Sequence, residues 1–168
     1  MRHDDSRTTA LGLWGYAFGY LRAAHTLDDA DSNPWVSSNV THQCVCQGIE
    51  LAYKSYIRAR GKTVKDLIDI GHSLMKCKDV AMGLGLTAPS ADHFDALKMM
   101  DRHYREHEFR YIVTGTKEYP MLGRLLSVGA TVLYDAAPAI SEATGDAPEL
   151  LRRMWEELSA RLGHPPPG

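Results

Sequence analysis

Cysteine is scarce in this chain, charge of either sign is nearly balanced, and long apolar runs are missing. Only Cys44, Cys46 and Cys77 occur in 168 residues. An odd number of thiols excludes a closed disulfide framework and points to a reducing compartment. On a helix Cys44 and Cys46 would project to nearly opposite faces. A metal site from His42, Cys44 and Cys46 would require that helix to unwind, so the thiols read as small buried side chains, and neither metal nor cofactor is expected. Lysine and arginine total 19 against 21 acids, a formal charge of -2. No global basic field announces a nucleic-acid partner; any such contact needs a local patch, and DNA is not expected. The first residues, Met1 to Arg7, lack the apolar core of a secretory signal. The longest apolar stretch, from Val128 to Tyr134, stops at Asp135, too short to span a bilayer. A soluble, cytoplasmic protein without membrane contact is the expectation.

Strand-like alternation and internal repeats are also lacking; what the chain has is helical periodicity. Its length and 44% hydrophobic content suit one compact domain. A first helix is predicted over 8–28, with Leu11, Trp14, Phe18, Leu21 and His25 on one face. Asn33-Pro34 and Ser37-Ser38-Asn39 then predict a loop. A second helix over 40–60 carries Val45, Ile49, Ala52, Tyr53 and Tyr56 inward, with Gly61 ending it in a left-handed conformation. Thr63 and Asp66 look like a capping pair for a third helix. That helix carries Val64, Leu67, Ile68, Gly71, Leu74 and Met75 for five turns and stops at Gly83 or Gly85. After a break over 87–90, a fourth helix presents Phe94, Leu97, Met100, Tyr104 and Tyr111. Gly115 and Tyr119-Pro120 precede a fifth, with Leu122, Leu125, Leu126, Gly129, Val132, Leu133 and Ala136 in its stripe. Past Pro138 and Gly145, Asp146 and Glu149 suggest a short last helix. The expected organisation is a flexible 1–7, a helical bundle over 8–145, a C-terminal helix over 146–162 and a disordered tail over 163–168. The fold class is all-α: an antiparallel bundle of four to five core helices plus the short C-terminal helix.

Two motifs inside helices two and three carry a family resemblance. Glu50-Leu51-x-x-Lys54-x-Tyr56, then Gly61, then Gly71-His72-Ser73-Leu74 resembles the paired core helices of the HEPN superfamily, best across 45–86 and more weakly through helix four. The resemblance implies a HEPN-like bundle that pairs as a homodimer, and it spans RNA-cleaving toxins, antiviral ribonucleases and catalytically silent binding modules. Read from the residues alone, Glu50 and Lys54 form an i,i+4 ion pair supporting a helix. Gly71 would let two helices approach closely, leaving His72 to hydrogen-bond across the contact.

The segment from Asp101 to Tyr111 supports three readings. Arg102 and His107 match the arginine, four to six residues, histidine motif of HEPN ribonucleases. By that family's chemistry His107 is the general base on a ribose 2′-hydroxyl and Arg102 stabilises charge on the scissile phosphate, with no metal. Five residues on a continuous helix are about 140° apart, so a helix end or kink must fall between the two. His103-x-x-Glu106-His107 also resembles the inverzincin zinc motif, with Glu142, Glu156 or Glu157 as a distant third ligand. The remaining reading is a solvated, mixed-charge surface favoured by the helix dipole. Such a surface could still bind: Tyr104, Arg105, Arg110 and Tyr111 would hold phosphates and stack bases of RNA or a nucleotide. A second basic cluster, Lys54, Arg58, Arg60, Lys62 and Lys65, surrounds the turn after helix two.

The functional expectation is a non-catalytic module binding RNA, a nucleotide or a partner protein. Its rival is a metal-independent endoribonuclease of toxin or defence type using Arg102 and His107. In that rival a nucleotidyltransferase antitoxin is the partner the resemblance implies.

Overall fold

A computed structural model describes residues 6–30, 34–109 and 118–145, with residues 153, 156, 157 and 160 beyond them. Six α-helices are described and no strand among them: α1 Ala10–Ala30, α2 Pro34–Ala59, α3 Val64–Ile70, α4 Leu74–Gly83, α5 Ala91–Arg105 and α6 Leu122–Thr144. They form an all-α packing of antiparallel neighbours, with α1 and α6 against α2 as the principal contacts. α2 touches each of the other five helices, so every face of its middle is covered. No helix among the described residues is long and apolar enough to cross a membrane.

The expected loop over Asn33 to Asn39 is helix from Pro34 onward. Proline suits the first turn, where the N–H it lacks has no intrahelical partner to lose and its fixed φ is already helical. α2 ends as predicted, with Gly61 at φ 86°. The amides of Gly61 and Lys62 return to the carbonyls of Arg58 and Ile57, so two of the helix's terminal acceptors are satisfied. Thr63 then caps α3. Its hydroxyl accepts from the Asp66 amide while the Asp66 carboxylate accepts from the Thr63 amide, the reciprocal box the sequence predicts.

The third predicted helix is two. Gly71 turns to φ 71° and closes α3, and Ser73 restarts the chain as N-cap of α4. A Cβ built on Gly71 meets nothing within 4 Å, so the glycine serves this reversal and not a close helix approach. The apolar spacing survives across the break because Leu67 on one side, and Leu74 and Cys77 on the other, face the same core.

Close approach occurs elsewhere. Leu21 of α1 is fully buried. A Cβ on Gly48 of α2 would lie 2.8 Å from its side chain, and one on Gly129 of α6 only 2.6 Å away. One leucine is thus keyed into two glycine notches, holding three helices in register. Trp14 adds a polar tie across the same contact, its indole Nε1 donating to the Leu133 carbonyl at 2.9 Å. α6 buries the predicted stripe of Leu125, Leu126, Gly129, Val132, Leu133 and Ala136. It also runs through Pro138, which faces solvent while Ala139 and Ile140 beside it stay buried, and it ends at left-handed Gly145. Packing of the inner face outweighs the one hydrogen bond proline removes. The proposed C-terminal helix over 146–162 lies outside the described stretches, apart from isolated residues.

Candidate functional site

The largest concentration of buried polar chemistry lies where α2, the α3–α4 break and the end of α5 meet. Glu50 is 2% exposed. Its carboxylate accepts from the Lys54 ammonium at 2.6 Å and from the Tyr104 hydroxyl at 2.5 Å. His72 Nδ1 lies 3.1 Å from the same group. Lys54 also donates to the Gly71 carbonyl at 2.8 Å, and Gln47 lies 2.8 Å from the Tyr104 hydroxyl. An ionised carboxylate is tolerated in a core only with such saturation of its lone pairs. The predicted i,i+4 pair is therefore also the centre of a buried hub joining three elements.

Each residue of the Gly71 to Leu74 motif has a separate task at this hub. Gly71 supplies the reversed backbone and a carbonyl for Lys54. His72 binds Glu50 with one nitrogen while its side chain remains about half exposed. Ser73 accepts the Lys76 amide and donates to Asp101 of α5 at 2.8 Å. That aspartate also receives the Met75 amide, so α5 helps to cap α4. Leu74 is fully buried.

α5 stops at Arg105, between Arg102 and His107, which supplies the helix end their spacing requires. The amides of His107 and Glu108 return to the carbonyls of Tyr104 and His103. α2 and α4 finish with this same pair of bonds, and there the left-handed residue is glycine: Gly61 at φ 86° and Gly85 at φ 99°. In α5 it is His107, at φ 59°, the only positive-φ residue other than glycine among those described. A β-carbon in that region is a steric cost of about 1 kcal/mol that glycine avoids. His107 spends that strain on placing its ring 5.8 Å from the His72 ring, edge to face.

The outcome is two adjacent imidazoles, one oriented from behind by a buried carboxylate. Such a carboxylate favours a proton on the Nδ1 that faces it and holds the ring in one orientation. Arg102 and Arg105 are exposed on the last turn of α5. Arg105 has a loose contact with Glu106 at 4.0 Å. Sequence reasoning did not assign Glu50 and His72 to the site with His107. The glycine and serine flanking His72 were the available signal for a helix break that turns a histidine outward.

The other sequence candidates divide. Tyr104 is 1% exposed and donates inward, leaving no ring face for a base to stack on. Arg58 donates to the Thr8 and Lys62 carbonyls, and Arg60 to the Tyr56 hydroxyl. Lys54 and Lys65 are paired with Glu50 and Asp69. Four of the five cations of this second cluster thus serve the fold locally. Arg110 and Tyr111 lie outside the described residues. The two histidines of the zinc-like motif part company at the helix end: His103 pairs with Glu108 at 2.8 Å and lies edge-on to Tyr119, while His107 faces His72. No group of three metal-binding side chains occurs among the described residues.

Cys46 and Cys77 are buried, and Cys44 is partly exposed. Burial, then the charges of Glu50 and Asp101, push Cys46 well above the ordinary thiol range. Cys77 is pushed up to about 12, chiefly by burial. Compared with family models, with curated proteins and with solved structures, the chain matches none.

Proposed function

We propose that this protein is a HEPN-like RNA-binding module whose contact surface centres on His72 and His107, with Arg102 and Arg105 as flanking cations. The observation that carries this reading is the backbone at His107. The same helix ending occurs with glycine in α2 and α4, and α5 gives up that relief to bring a second imidazole beside the one Glu50 orients. Imidazole edges and arginine forks suit phosphate oxygens, and the charged last turn of a helix concentrates them. The formal charge of -2 limits such binding to this local patch. Fluorescence anisotropy with a mixed-sequence single-stranded RNA tests it. Binding should weaken with salt, fall on the order of tenfold in His72→Ala and in His107→Gly, and be weaker for the DNA of the same sequence. RNA affinity unchanged in both variants would sink the reading.

A second reading, metal-independent RNA cleavage of toxin or defence type, is favoured by one specific feature. A carboxylate-oriented imidazole next to another imidazole is an arrangement suited to moving a proton from a 2′-hydroxyl and to a leaving oxygen. In it His107 acts as base, Arg102 steadies the phosphate, and two protomers share the cleft, as in the superfamily's ribonucleases. Cleavage in chelator that disappears in both Arg102→Ala and His107→Gly supports it. Equal background cleavage by wild type and variants removes it and leaves the binding module.

A further inference from the structure

On the side of the bundle formed by α2, the α4–α5 connection and α6, a separate cavity of about 140 Å³ is lined by Tyr53, Leu86, Pro89, His93, Val128 and Asp135, among others. Two of its polar groups lack partners. Tyr53 is 1% exposed, yet its hydroxyl makes no hydrogen bond among the described residues. The half-buried Asp135 carboxylate has neither hydrogen bond nor ion pair there. Burial raises the Asp135 carboxyl, and burial together with the charges of Cys77, Asp135 and Asp79 raises the Tyr53 phenol. His93 is committed in part, its Nε2 lying 3.1 Å from the Ser127 hydroxyl.

We infer that this cavity is a binding site for a small protonated amine, whose ammonium group lies between Asp135 and the Tyr53 oxygen while its hydrocarbon body packs on Leu86, Pro89 and Val128. The size fits: a cavity of about 150 Å³ holds a benzene-sized molecule, so four to six heavy atoms are accommodated. The charge fits as well. Among the described lining residues Asp135 is the only acidic or basic side chain apart from His93, and a partly desolvated carboxylate recovers most from a cation that also donates hydrogen bonds. An anion would face that carboxylate directly, and a neutral alcohol would leave its charge uncompensated.

Three isosteric probes decide it: butylammonium, butanol and butyrate, each titrated into the full chain while amide resonances of residues 86–93 and 128–135 are followed by NMR. Butylammonium should give saturable shifts confined to these residues, with butanol on the order of tenfold weaker and butyrate without effect. Asp135→Asn, which keeps the shape of the side chain, should erase the preference for the amine, and Tyr53→Phe should weaken amine binding while leaving butanol unaffected. Equal binding of butanol and butylammonium, preference for butyrate, absence of saturable shifts with any probe, or an amine preference that survives Asp135→Asn would each overturn the proposal. Retention of the wild-type spectrum outside the cavity separates a lost site from a lost fold.

Discussion

At the scale of single residues, strain and burial carry opposite messages in the same site. His107 occupies a position where glycine is the relaxed choice, so His107→Gly should raise stability by about 1 kcal/mol while lowering RNA affinity. Urea unfolding beside anisotropy reads both, and a destabilised variant would refute the strain argument. Lys54 and Glu50 behave in the other direction. Removing the cation leaves a carboxylate at 2% exposure, so Lys54→Met should cost about 3 kcal/mol, with less lost when Glu50→Gln accompanies it. Asp135 gives a pH-dependent case. Its folded pKa is raised, so the fold favours the protonated form: the benefit is full below the unfolded carboxyl pKa and is lost as pH rises through the folded value. Asp135→Asn should therefore raise Tm at neutral pH, the difference vanishing in acid. The thiols supply a further readout. Cys46 and Cys77 should resist a thiol reagent until the protein unfolds, since burial holds both far from the thiolate.

At the scale of elements, the legible parts were those decided by neighbours in sequence. Gly61 and the Thr63 and Asp66 box mark their boundaries with side chains two to four residues apart, and the stripe of α6 identifies its own buried face. The break at Gly71 was hidden because the apolar spacing continues across it. What distinguishes the two cases is the capping of α4 by Ser73 and by Asp101, the latter contributed from a helix 26 residues away from the amide it accepts. Asp101→Ala should loosen α4 by about 1–2 kcal/mol, visible as faster amide exchange over 74–83. Unchanged exchange there would show that Ser73 alone suffices. The site divides in the same way. The Glu50 and Lys54 pair was visible at its i,i+4 spacing, whereas His72 and Tyr104 reach that carboxylate from 22 and 54 residues away. No local pattern reports such distances. Arg102 and His107 have a spacing that calls for a helix end or a kink between them, and α5 ends there at Arg105.

At the scale of the whole molecule, α2 is the axle on which the other five helices are mounted, and α1 and α6 are joined to it through Leu21. Gly48→Ala should lower Tm despite the better helix propensity of alanine. The added methyl meets both the Leu21 side chain and, at 3.2 Å, the Ala17 carbonyl, and overpacking of this kind costs about 1–3 kcal/mol against a gain of roughly 1. The three atoms nearest the methyl of Gly129→Ala all belong to the Leu21 side chain, so pairing it with Leu21→Ala should recover more of the loss than the same pairing does for Gly48→Ala. Equal recovery in the two double variants would show that the backbone contact is immaterial.

The keyed leucine also sets a rule for inheritance. Among descendants of this sequence, a side chain appearing at position 48 or 129 must be matched by a shorter one at position 21. Three sites separated by 27 and 81 positions along the gene product should therefore drift together, and an alignment deep enough to score triplets would find them as one covarying unit.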